Sequence, residues 1–120
     1  VTAVHLVIVS LRRTETSPPG DRDAAEVTDI VWAHATAADR LEHVRGHAHV
    51  DRVELLLFLR QDPQDVPDHA RRLAVTLLGR CHAASAHLRA RYHAPELSPA
   101  QPPPLPPAAP PGSQGPPPTG

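Results

Sequence analysis

Residues 52–59, RVELLLFL, place large apolar side chains on both faces of one short segment. An extended chain sends alternate side chains to opposite faces. Val53, Leu55, Leu57 and Leu59 therefore share one side, and Glu54, Leu56 and Phe58 the other. A strand that is apolar front and back belongs in the middle of a sheet. The rest of the chain must supply a neighbour along each edge and a cover for each face.

Residues 2–11, TAVHLVIVSL, supply a first strand, short, β-branched and apolar on both faces apart from His5 and Ser10. A turn-rich stretch with Ser17, Pro18, Pro19 and Gly20 follows. Asp23 then offers an N-cap, with Glu26 three positions on as in a capping box. Val27, Ile30, Val31, His34, Ala38 and Leu41 recur at helical spacing, which predicts a helix to about His43. Residues 42–60 read as a β-hairpin with its turn either at residues 46–49 or near Val50, Asp51 and Arg52. Asp62 or Asp65 caps a second helix, whose stripe runs through Val66, Ala70, Leu73, Leu77, Cys81, Ala84 and Leu88. Gly79 weakens that helix by about 1 kcal/mol relative to Ala and is a place for it to thin or bend.

The last 27 residues hold 12 of the 16 prolines, and their only large apolar side chains are Leu97 and Leu105. Such a segment buries too little surface to offset its loss of chain entropy. Residues 1–93 are thus expected to form one small domain and residues 94–120 a disordered tail. The expected fold is α+β, a two-layer sandwich in the order β-α-β-β-α. Its three-stranded antiparallel sheet has the order 1-3-2, with both helices on one face because crossovers are right-handed. The arrangement resembles the ferredoxin-like (split β-α-β) topology without its last strand.

That topology leaves one sheet face open although its strands are apolar there. Large apolar patches are rare on monomers, so a homodimer packed sheet to sheet, or a protein partner, is expected. The candidate interface residues are Val53, Leu55, Leu56, Leu57, Phe58, Val4, Leu6 and Ile8.

The net charge of −1, with both signs interspersed, gives no field to hold a phosphate backbone, so nucleic acid is not an expected partner. No apolar run approaches the ~20 residues of a membrane span, so no membrane partner is expected either. One cysteine suits a reducing cytoplasm. All 12 basic residues are Arg, and Lys, Asn and Met are absent, a bias that reads as a GC-rich bacterial genome. The same bias supplies a bland origin for the nine His and the many prolines.

Chemistry-bearing patterns are few. His43, Arg45, His47 and His49 project from one face if residues 43–49 are extended. His47 and His49 would then lie about 7 Å apart at Cα, within reach of one zinc ion, with His5 as a third ligand. Arg45 beside them repels a cation, and the plainer reading is a solvated face. His34 on an apolar helix face reads as a boundary residue, and Cys81 in its stripe as a small hydrophobe. No Gly-x-Ser-x-Gly or glycine-rich phosphate loop occurs, so no catalytic residue and no cofactor is expected. Pro102, Pro103, Pro104, Leu105, Pro106 and Pro107 have the PxxP spacing of a polyproline II recognition segment, or form an inert spacer. The leading expectation is a non-catalytic interaction module. A ligand-sensing domain binding at a dimer interface, or a small dimeric enzyme with a His base, are the alternatives.

Overall fold

A computed structural model describes residues 3–15, 18–66 and 68–102. The described residues form an α+β fold with four antiparallel strands and three helices. Strand β1 spans Ala3–Arg12, and helix α1 spans Asp23–His34. Strands β2 (Leu41–Ala48) and β3 (Arg52–Gln61) form the hairpin. Helices α2 (His69–Ala84) and α3 (Ala86–Arg91) follow, and β4 (Glu96–Leu97) closes the sheet. The strand order is β2-β3-β1-β4.

β3 lies between β1 and β2, as its two apolar faces require. It pairs with β1 over ten positions, from Ala3 opposite Gln61 to Arg12 opposite Arg52. Its odd-numbered side chains, Val53, Leu55, Leu57 and Leu59, point to the helices and are fully buried. From β1, Val7, Val9 and Leu11 join them. Val27 and Val31 of α1, Ala74, Leu77, Leu78 and Cys81 of α2, and Leu88 and Tyr92 complete one core.

Several sequence expectations need correction. The sheet has four strands, not three. β4 adds to β1 with Val9 opposite Leu97 and Ser10 opposite Glu96, so the order 1-3-2 gains a member beside strand one. Two residues between prolines carry no readable periodicity, which is why composition alone consigned them to the tail.

The first helix ends at His34, nine residues before His43. Ala35 leaves the helix with an extended backbone (ψ 141°). A single 3-10 turn, Ala37–Asp39, follows, closed by a capping box between Thr36 and Asp39. Arg40 then takes a left-handed conformation, φ 59°, and releases the chain into β2. Asp23 is the first helical residue rather than the cap, which is Arg22. Of the two hairpin turns, the later one is adopted: Ala48 pairs with Val53 and the His49 N–H donates to the Arg52 carbonyl at 2.7 Å.

Neither Asp62 nor Asp65 caps α2. The Asp65 carboxylate instead accepts the Asp62 N–H at 2.8 Å and pairs with Arg40. α2 runs unbroken through Gly79, and the break comes at Ser85, whose hydroxyl accepts the Leu88 N–H at 3.2 Å and caps α3.

Candidate docking surface

All three helices pack against one side of the sheet, and among the described residues no helix covers the other. The uncovered face follows from the strand register. Leu6 stands opposite Phe58, which stands opposite His43; Ile8 stands opposite Leu56, which stands opposite Arg45. These two rows make the centre of the face. Leu6, Ile8, Leu56 and Phe58 are half-buried, and Val4 is 48% exposed. His43 lies against Phe58 with ring centroids 5.8 Å apart.

The margins are polar. Arg60, opposite Val4, bounds one end. At the other end, Glu54 faces Ser10 and His47 across the register, and Glu96 lies beyond Ser10. His49, in the turn, donates from Nε2 to Glu54 at 3.1 Å, and the Arg52 guanidinium reaches Glu54 at 3.5 Å. Ser98, after β4, donates its hydroxyl to the other Glu54 oxygen at 3.2 Å.

Of the eight expected interface residues, the structure brings Val4, Leu6, Ile8, Leu56 and Phe58 to the open face. Val53, Leu55 and Leu57 point the other way and are fully buried beneath the helices. The open set is thus the even-numbered half of β1 and β3.

The histidines are not brought together. His5 is buried on the helix side of β1, opposite Leu59, whereas His47 is exposed on the other face, opposite Glu54. Five residues of β3 separate those register positions, about 16 Å along the strand. Among the described residues no group of three His, Cys, Asp or Glu side chains converges as a metal site. His34 Nδ1–H donates to the Ile30 carbonyl at 2.9 Å, and His82 Nε2–H to the Tyr92 carbonyl at 3.0 Å. Both rings tie backbone ends down. Burial pushes the Cys81 thiol up from its ordinary value, away from a nucleophilic thiolate. Of the tail motif, Pro102 is half-buried at the end of the described chain; Pro103, Pro104, Leu105, Pro106 and Pro107 lie outside the described residues.

Sequence reasoning missed the charged side chains that hold the layers together. The Arg13 guanidinium pairs with Asp23, with side-chain exposures of 4% and 2%. Arg91 reaches the second Asp23 oxygen at 3.0 Å. Arg13 also donates to the His49 carbonyl at 3.1 and 3.2 Å and lies 5.8 Å from the centre of the Tyr92 ring. Burial pushes the Asp23 carboxyl up, but the Gly20 N–H and the two guanidiniums outweigh it and hold the group below its ordinary value. A second cluster joins Arg80 of α2 to both Asp39 oxygens, at 2.6 and 3.2 Å, and to the His34 carbonyl at 3.0 Å. These partners lie 10 to 68 residues apart in sequence, so no local pattern signals them.

Among the described residues, open grooves flank the sheet. One, of about 310 Å³, runs between α1 and β2 past Ala24, Thr28, His43 and Arg45. The other, of about 280 Å³, lies between Leu97 and the start of α2. No helix among the described residues is long and apolar enough to cross a membrane. Compared with models of known families, with curated proteins and with solved structures, the chain matches none.

Proposed function

We propose that this chain is a non-catalytic interaction module that docks through the open face of its sheet, with a second copy of itself as the partner. The observation that carries the reading is the pair of adjacent apolar rows, Leu6 with Phe58 and Ile8 with Leu56, on a face that no helix of the described chain covers. Burying them follows the usual driving force of roughly 25 cal/mol per Å². The rim offers both signs of charge, Arg45 and Arg60 against Glu54 and Glu96, which a two-fold pairing can match. The ion pairs of Asp23 with Arg13, both buried, and of Asp39 with the half-exposed Arg80 join segments of the fold to one another, which accounts for these charged groups structurally.

Size sets the strength. The stretch from Val4 to Ile8 is about 13 Å long, and three strands are about 10 Å across. That centre is well below the ~800 Å² per partner of a stable interface. The association is therefore weak and concentration-dependent. The topology is read as the ferredoxin-like (split β-α-β) arrangement with its last strand reduced to two residues. The lone, buried Cys81 fits a reducing cytoplasm.

Sedimentation equilibrium across a micromolar range tests the proposal. Wild type should show a mass rising toward the dimer, and Phe58→Glu should stay monomeric with an unchanged circular dichroism spectrum. A wild type that remains monomeric at every accessible concentration ends the second-copy reading.

A further inference from the structure

β2 is an outermost strand, and among the described residues no strand pairs with its outer edge. Parity along the hairpin decides which backbone groups are free there. The His49 N–H donates to the Arg52 carbonyl, and the Arg60 N–H to the Arg40 carbonyl beyond the register shift between Leu41 and His43. In an antiparallel ladder the hydrogen-bonded pairs recur at every second residue. His43, Arg45 and His47 therefore bond to β3, and Val44, Gly46 and Ala48 turn their N–H and carbonyl groups outward. Such an edge is a template for a further strand.

The space beside the edge is lined for a chain. The groove of about 310 Å³ runs along Val44, Arg45 and Gly46, and its helix wall is Ala24, Ala25 and Thr28, all short side chains. Trp32, the only tryptophan, follows one turn beyond Thr28 on the same face of α1 and is 47% exposed. The other side of the edge is basic. Arg45 is exposed, and its guanidinium has no ion pair or hydrogen bond among the described residues. The exposed imidazoles of His43 and His47 stand two residues to either side of it. A strand added here alternates in the same way. One set of its side chains meets Arg45 and the imidazoles, and the other meets the groove.

We propose that the β2 edge takes up an extended peptide of a partner protein in which acidic residues alternate with small apolar ones. The acidic set faces Arg45, the apolar set enters the groove beside Trp32, and the backbone bonds to Val44, Gly46 and Ala48. A second copy of β2 is the poorer occupant. Antiparallel self-pairing sets Arg45 against itself or against His43 or His47 of the copy, and supplies no counter-charge. The inference uses the edge rather than the open face, so it stands whether or not the chain dimerises.

The test titrates the full chain, at a concentration where sedimentation shows monomer, with an end-blocked octapeptide alternating Glu and Val. Trp32 emission should move to shorter wavelength and saturate, and the matching Lys–Val peptide should bind about tenfold more weakly. N-methylating one alternate set of peptide residues should abolish binding, and N-methylating the other should spare it, since only one set points its N–H groups at β2. Arg45→Glu should reverse the preference to Lys–Val with an unchanged circular dichroism spectrum. No saturable shift with the Glu–Val peptide overturns the proposal. So does an equal response to both charge patterns, binding that survives either N-methylation, or a preference that Arg45→Glu leaves unchanged. A Trp32 shift that appears on raising protein concentration alone, and that Phe58→Glu leaves in place, puts a second copy on the edge and overturns it too.

Discussion

The Arg13 guanidinium and the Asp23 carboxylate form an ion pair almost wholly removed from water, at the point where β1 ends and α1 begins. Arg91 from the end of α3 shares the same carboxylate, and the His49 carbonyl of the hairpin turn accepts from Arg13. One anion thus holds four segments in place. Removing it strands a buried cation, which typically costs about 3–5 kcal/mol. Asp23→Ala should lose that much in urea unfolding, a large part of the ~5–15 kcal/mol of an ordinary domain. Arg91→Ala, at a side chain 29% exposed, should lose about 1 kcal/mol or less. Equal losses for the two variants would contradict this hierarchy.

Acid should unfold the chain through its carboxylates. For Asp23 and Asp39 burial acts upward, but hydrogen bonds and the guanidiniums of Arg13, Arg91 and Arg80 prevail, and both groups are held below the ordinary value of 3.8. Asp65 is lowered chiefly by the Asp62 N–H. A carboxyl lowered on folding stabilises fully above its unfolded value, and the stabilisation disappears as pH falls through the folded value. Stability should therefore be flat with respect to these three groups at neutral pH and fall steeply below 3.8. In Asp23→Asn the acid limb of a melting-temperature profile should be shallower. An unchanged limb would remove Asp23 from the account.

Legibility in the sequence followed the range of the interaction. The double-sided run at residues 52–59 made β3 central before any coordinates, and the same alternation divided Leu55 and Leu57 from Leu56 and Phe58. The end of α1 was not legible, because an Ala-rich stretch without Gly or Pro hides a stop made by Thr36, Asp39 and a left-handed Arg40. Asp23 looked like a cap because its sequence neighbours suit one; its true partners, Arg13 and Arg91, are 10 and 68 residues away. The open face was foreseen as a place but not as a residue set. The side-chain amide of Gln101, which bonds to both the N–H and the carbonyl of Ile8, has no sequence signature at all.

Two glycines should respond with opposite signs to the same substitution. A Cβ on Gly46 would lie 3.1 Å from Ala24 Cβ and 3.2 Å from the Ala24 carbonyl oxygen, so α1 packs on β2 through the missing side chain. Because a helix backbone does not yield easily, Gly46→Ala should cost about 1–2 kcal/mol. A Cβ on Gly79 meets nothing within 4 Å, and Gly79→Ala should stabilise α2 by about 0.5–1 kcal/mol. Paired thermal melts check both at once.

Adjacent leucines of β3 separate folding from docking. Leu57 is fully buried between the sheet and the helices, so Leu57→Ala leaves a cavity and should cost about 2–5 kcal/mol at any protein concentration. Leu56 points to the open face and is only half-buried in the single chain. Leu56→Ala should cost the monomer less than about 1.5 kcal/mol, since little cavity forms at an open surface. Its larger effect should appear in association, as a weaker concentration dependence of the sedimentation mass. Denaturation and sedimentation of the same two variants thus read two sides of one strand. If Leu56→Ala instead unfolded the chain as severely as Leu57→Ala, the face would be part of the permanent core, already filled by some other segment too firmly to be a docking surface.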